Sequence, residues 1–161
     1  LSAKLKSLPS NKAHAMDFNA LCLGCRTYRR FERKEIPEEI LTELLENARV
    51  ANSVMNGQVL RYVLVKSQET VKKLQPYFHF AAALPKELGQ PKEGEQPTAF
   101  IILCTEGRES PWTDMDIGIA VRTMNLNAYN HGVGSCILGN VEFESGSSLM
   151  KHPDALYEVC A

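Results

Sequence analysis

The sequence predicts a mixed α/β layer, and three observations carry that expectation. Two short apolar runs, "VLRYVLV" at 59–65 and "AFIILC" at 99–104, read as strands. Two longer stretches, opening at Pro37 and at Thr113, repeat apolar residues at helical spacing. Between them, short strands and longer helices alternate irregularly.

The elements follow in chain order. The opening "LSAKLKSLPSNKAHA" lacks the apolar stretch of an export signal. Residues 1–15 are therefore set aside as a leader or disordered extension, and the domain is placed at 16–161. Pro37 suits the first position of a helix, where its missing N–H would be unpaired anyway. Glu38 and Glu39 complement the positive end of that helix. Ile40, Leu44 and Ala48, with Leu41 and Leu45, give it one apolar face and carry it to about Ala51. The strand at 59–65 reads as mostly buried. "SQETVKKLQPYF" predicts a short helix broken at Pro76. The stretch 85–97 holds three prolines, two glycines and five charges, and reads as a loop long enough to serve as a lid.

Thr113 opens the next helix. Its hydroxyl is expected to cap the Asp116 amide, with Asp116 returning the bond and Trp112 stapling onto Ile117. Ile117, Val121, Met124 and Ala128, widened by Ala120 and Leu126, predict a helix covered by more than one neighbour. Gly132 is expected to end it in a left-handed cap. "GSCILG" and "LYEVCA" are the third and fourth strand candidates.

Composition narrows the classes. A chain of 161 residues fits one domain, and 44% hydrophobic with 23% charged residues is ordinary for a globular protein. No run reaches the roughly 18 apolar residues of a membrane helix. Residues 1–35 hold eight Lys/Arg against three Asp/Glu, a local +5, while the rest carries −6. That pattern suits an anionic small molecule or a partner surface; a pI of about 6.5 excludes the broad basic face that duplex DNA needs. Five cysteines, an odd number, read as buried thiols of a reducing cytoplasm. Cys22 and Cys25 form a single CxxC with no second pair, so they read as a structural pair rather than a zinc site. The four histidines have no metal-ligand spacing. His152-Pro153-Asp154 matches the J-domain tripeptide, but without the surrounding helical hairpin.

Three constellations remain. "CRTYRRFERKEIPEEI", at 25–40, places Arg26, Arg29, Arg30 and Arg33 within eight residues, with Thr27 between them. Guanidinium and hydroxyl together grip phosphate; a solvated basic strip is the plainer reading. "ANSVMNGQVLR", at 51–61, crowds Asn52, Ser53, Asn56 and Gln58 into one turn, as caps or as donors to a ligand. "GVGSCILG" follows a helix and precedes a strand, the reverse of a dinucleotide fingerprint, yet its glycines admit close backbone approach.

In their order and spacing these three motifs resemble the nitroreductase family of FMN enzymes. Thr27 stands at the family's serine, Cys25 at its first arginine, and Asn52 and Val59 where prolines are usual. "DIGIAVRTMNLNAYNHGVGSCILG" is similar to the family's late helix and glycine turn. The resemblance implies an α+β fold, a mixed and largely antiparallel sheet flanked by helices. It implies FMN as cofactor and a homodimer with flavin at the subunit interface. Arg26, Thr27 and Arg29 would hold the phosphate, ribityl chain and pyrimidine edge. Ser53 and Asn56 would reach the partner's flavin, and Leu138 and Gly139 would present backbone to the hydride-accepting nitrogen. Arg30 and Arg33 would be ordinary surface charges. The implied activity passes hydride from NAD(P)H through flavin to a nitroaromatic, quinone or similar oxidant, with no side chain as nucleophile. Reductive dehalogenation, a dedicated oxidation or a non-catalytic flavin module are the alternatives on the same scaffold. Family members continue beyond this point, so the usual C-terminal segment is expected to be missing.

Overall fold

A computed structural model describes residues 17–81, 83–105, 110–139 and 157–160. The leader assigned to 1–15, the His152-Pro153-Asp154 tripeptide and the burial of Cys160 lie outside the described residues. Five helices and four strands are seen: α1 (Phe18–Gly24), α2 (Glu38–Val50), β1 (Leu60–Val65), α3 (Gln68–Leu74), α4 (Lys86–Gly89), β2 (Phe100–Thr105), α5 (Thr113–Asn130), β3 (Cys136–Leu138) and β4 (Tyr157–Cys160). The strands form one sheet in the order β1-β2-β4-β3, antiparallel at every pairing. The last strand in sequence is thus inserted between β2 and β3.

β2 is apolar throughout because both of its faces are covered. Ile101 and Leu103 face a cluster built on Leu44 and Ala48 of α2 and Ile117, Val121, Met124 and Ala128 of α5. Phe100 and Ile102 face a second cluster with Val71, Leu74, Phe78, Phe80, Cys136 and Leu138. The period of two along the strand makes this division. β1 differs from its expectation of general burial. Leu60, Tyr62 and Leu64 pack on the helix side, while on the other face Arg61 and Val63 are exposed and only Val65 reaches the second cluster.

Helix ends show three further departures. Pro37 is the cap of α2, one position before the first helical residue, with ψ at 137°. The 85–97 stretch contains the short helix α4. At the start of α5 the expected capping box is reversed. Thr113 already lies inside the first turn, and its Oγ1 accepts the Ser110 amide at 2.8 Å. Asp116 N–H goes to the Trp112 carbonyl at 3.1 Å, and Trp112 is 51% exposed, so no staple forms. The Asp116 carboxylate is free for another donor. At the other end the expectation holds. Gly132 has φ of 73°, its amide meets Tyr129 O at 3.0 Å, and the Val133 amide meets Ala128 O at 2.9 Å, a Schellman closure.

Candidate functional site

The first motif runs extended after α1 and lies beside the glycine turn that leaves α5. Thr27 forms a parallel bridge with Ser135, and the Tyr28 amide donates to Ser135 O at 3.0 Å. Gly134 makes this approach feasible: a Cβ there would stand 2.9 Å from the Tyr28 ring. Arg26, Thr27 and Gly139 are exposed, Arg29 is half-buried, and Leu138 closes β3 in a buried position. The guanidinium cluster and the glycine turn therefore meet along one edge.

A buried polar network fixes that edge to α5. Cys25, 5% exposed, donates its thiol to Asn125 Oδ1 at 3.0 Å. Asn125 Nδ2 donates to Ser135 Oγ at 2.6 Å, and Arg122 donates to Asn125 Oδ1 at 2.6 Å. The CxxC reading of Cys25 as a structural residue gains its partner here. Ser135 falls inside the glycine-turn motif, but nothing local marked it or Asn125 as partners of Cys25, 110 and 100 residues away. Arg29 is oriented from another side: its Nε donates to Phe80 O at 2.9 Å, leaving the two terminal nitrogens for other partners. Arg29 also lies close enough to Cys136 to oppose the effect of burial, which pushes that thiol up to about 11.

Arg30 and Arg33 are exposed, as expected of surface charges, and each has a partner. Arg30 pairs with Glu95, and the Phe31 amide donates to Glu95 O at 2.9 Å. Arg33 donates to Gln68 Oε1 at 3.0 Å and to Gln96 Oε1 at 3.4 Å. Thr98 Oγ1 donates to Lys34 O at 3.0 Å. The second half of the 85–97 stretch is strapped along the first motif by these contacts.

The second motif forms a separate turn against the opposite end of α5. Ser53 is half-buried and Asn56 exposed. Ser53 Oγ accepts the Gln58 amide at 3.1 Å, and Asp116 Oδ1 accepts the Val54 amide at 2.7 Å. Asn52, Ser53, Gln58, Tyr62 and Asp116 line a cleft of about 410 Å³ that includes none of Arg26, Thr27 or Arg29. Along α5, Asp116 and Asn125 are about 14 Å apart at 1.5 Å per residue. One chain therefore brings the first and third motifs together and holds the second at a distance.

Exposed guanidinium and hydroxyl groups of this kind can grip a phosphate. Among the described residues nothing lies within 4 Å of a Cβ built on Gly139. Among the described residues no group of three His, Cys, Asp or Glu could hold a metal ion.

Residues 24–160 match the model of the nitroreductase family. The chain belongs to that family. A "Putative NADH dehydrogenase/NAD(P)H nitroreductase" of Methanothermobacter thermautotrophicus is 26% identical over 131 residues, 80% of this chain and 63% of the relative. A protein of the same description from Archaeoglobus fulgidus is 28% identical over 118 residues, 71% of this chain and 62% of the relative. The chain thus spans under two thirds of the length of these curated relatives. Among solved structures, a nitroreductase family protein from Clostridium difficile 630 superposes with TM-score 0.70 at 19% identity, covering 90% of this chain and 83% of that one. A nitroreductase from Bacteroides fragilis NCTC 9343, solved with bound FMN, gives 0.66 at 21% identity over 88% and 85%. These likenesses show the nitroreductase fold, α+β with helices around an antiparallel sheet.

Proposed function

We propose that the chain is an FMN-dependent oxidoreductase that moves hydride from NAD(P)H to a nitroaromatic, quinone or similar small oxidant. The pairing of Thr27 with Ser135 carries this reading, because it seats a phosphate-binding donor set against a glycine turn. FMN, when bound, supplies the hydride chemistry that no side chain here provides. Arg26 and Thr27 would hold its phosphate. Arg29, anchored on Phe80 O, would set a fixed positive charge against the pyrimidine edge, where negative charge develops on reduction. Leu138 and Gly139 would offer backbone to the ring nitrogen that takes hydride. Ser53 and Asn56 stand away from this edge in their own chain, so their role requires a second copy. A homodimer is accordingly part of the proposal. Exposed Met55, Trp112 and Met115 offer apolar surface for it. Cys22, Cys25 and Cys136 stand outside any disulfide among the described residues, which suits a reducing cytoplasm.

The test is spectroscopic. The purified chain, loaded with FMN, is expected to be yellow, to bleach anaerobically with NADH or NADPH, and to recover colour on adding a quinone or nitroaromatic. Arg26→Ala is expected to weaken FMN more than riboflavin, since only the former carries phosphate. A protein that takes up no FMN would overturn the reading; one that stays yellow with both nicotinamides would be a carrier, not an enzyme.

A further inference from the structure

The turn at 52–58 holds a conformation that its residues disfavour. Met55, Asn56 and Gln58 have φ of 55°, 54° and 48°. None is glycine, and the left-handed region crowds Cβ against the backbone. Asn tolerates it best; Met and Gln have no such excuse, and Met55 is 94% exposed, so packing does not hold it there. The strain persists because other contacts over-determine the turn.

Several hydrogen bonds do so. Three are internal, from the Asn56 amide to Ser53 O at 3.0 Å, from the Gly57 amide to Val54 O at 3.0 Å and from the Gln58 amide to Ser53 Oγ at 3.1 Å. Another comes from outside, where Asp116 Oδ1 receives the Val54 amide at 2.7 Å. Asp116 is 4% exposed and belongs to the first turn of α5, a helix fixed by Ile117, Ala120 and Val121 in the core. Its carboxylate is a rigid post, and Val54 lies between Ser53 and the three strained residues.

The geometry points to Asp116 as a positioning residue that holds Ser53 and Asn56 in their presented form before flavin arrives. The inference rests on the reading of those two residues as flavin-facing. Without the Oδ1 acceptor, Val54 loses its fixed partner and the turn relaxes toward ordinary φ. Ser53 and Asn56 must then be ordered on binding, and the lost preorganisation appears as weaker affinity. A plainer role is available to Asp116, since with Asp114 it also complements the positive end of α5. The two roles separate by substitution. Asp116→Asn keeps an acceptor oxygen and removes the charge, whereas Asp116→Ala removes both.

The experiment is FMN titration of the full chain, with Val54 amide exchange followed by NMR in the flavin-free protein. D116A is expected to raise the FMN Kd about tenfold, equivalent to about 1.4 kcal/mol, while D116N stays within about threefold of the parent. Val54 exchange should quicken in D116A and not in D116N. Adding Gln58→Gly to D116A should recover part of the affinity, because glycine takes positive φ without strain. FMN binding in D116A within about twofold of the parent would overturn the inference. So would D116N binding as weakly as D116A, which would mean that charge alone matters. If D116A does not fold, Gln58→Gly in the otherwise unchanged chain decides: with Asp116 in place it is expected to bind FMN within about twofold of the parent, and D116N binding more than about threefold weaker than the parent would overturn the inference. If the parent takes up no FMN, the flavin reading falls, and the Val54 exchange comparison still decides whether Asp116 holds the turn.

Discussion

Cys25 Sγ lies 3.0 Å from Asn125 Oδ1, joining the first motif to the middle of α5 across 100 residues. Asn125 uses its other end on Ser135 Oγ, at 2.6 Å. One side chain, 5% exposed, thus holds both strands of the candidate flavin edge. In a buried setting such a network is worth most when every member is satisfied.

Replacing Asn125 should therefore cost more than its size suggests. Asn125→Leu keeps the volume, removes the partner of the Ser135 hydroxyl and an acceptor of Arg122, and leaves the Cys25 thiol only the longer contact to the main-chain oxygen of residue 125 at 3.6 Å. A loss of about 1–3 kcal/mol is expected from the unsatisfied groups. Urea unfolding measures that loss, and FMN titration should show weaker binding in the same variant. Unchanged affinity in a destabilised protein would separate this network from the site.

Gly134 tests the other contact at that edge. A Cβ there would sit 2.9 Å from Tyr28 Cγ and 3.2 Å from Tyr28 Cβ. These atoms are near the main chain and cannot swing away, so Gly134→Ala must push the Thr27–Ser135 bridge apart. Overpacking of this kind costs about 1–3 kcal/mol. FMN affinity should fall as well, and Tyr28→Gly in the same chain should recover part of it. Equal binding by parent and G134A would show that the flavin does not depend on this close approach.

What the sequence made legible was local. Apolar spacing gave α2 and α5, the apolar run at 99–104 gave β2, and Gly132 marked the end of α5. Expectations failed where distant residues decide. Whether β1 is covered on two faces depends on how far the second cluster extends over the sheet, and it reaches only Val65, which no window of β1's own residues contains. Arg30 and Arg33 are surface charges as read, but their partners Glu95 and Gln96 lie more than 60 residues on and were not legible. Thr113 and Asp116 fit a capping box by spacing, yet Asp116 is claimed by Val54. The three motifs were readable because each is short and continuous. Asn125, which links two of them, has no local pattern at all.

Cys136 gives a pH dependence with a definite sign. It is 1% exposed, and burial raises its thiol from 9.0 to about 11, with Arg29 opposing the rise. Between those values the unfolded chain releases a proton that the folded chain keeps. Stability from this group is therefore complete below pH 9.0 and is lost as pH rises toward 11. Unfolding free energy of the parent should fall more steeply across that window than that of Cys136→Ala. Thiol labelling at neutral pH should spare Cys136 and Cys25 in the folded protein and reach both in urea. Prompt labelling of Cys136 under native conditions would contradict its burial.

The strap along the first motif yields a prediction about substrate choice. Arg30, Phe31 and Arg33 fix Glu95 and Gln96, so the 85–97 stretch is anchored at its second half. Its four residues 91–94 precede that anchor, and Gly94 turns there with φ of 87°. The ion pair itself is half-exposed and screened by solvent, so Glu95→Ala should leave stability nearly unchanged. Deleting 91–94 should then leave FMN affinity near the parental value, because Arg26, Thr27 and Arg29 stay in place. If this stretch roofs the oxidant's position, the deletion should change the ratio of kcat/KM between a small quinone and a bulky nitroaromatic, in favour of the bulky one. An unchanged ratio, with normal flavin content, would remove the stretch from substrate selection and leave it as a brace for the arginine segment.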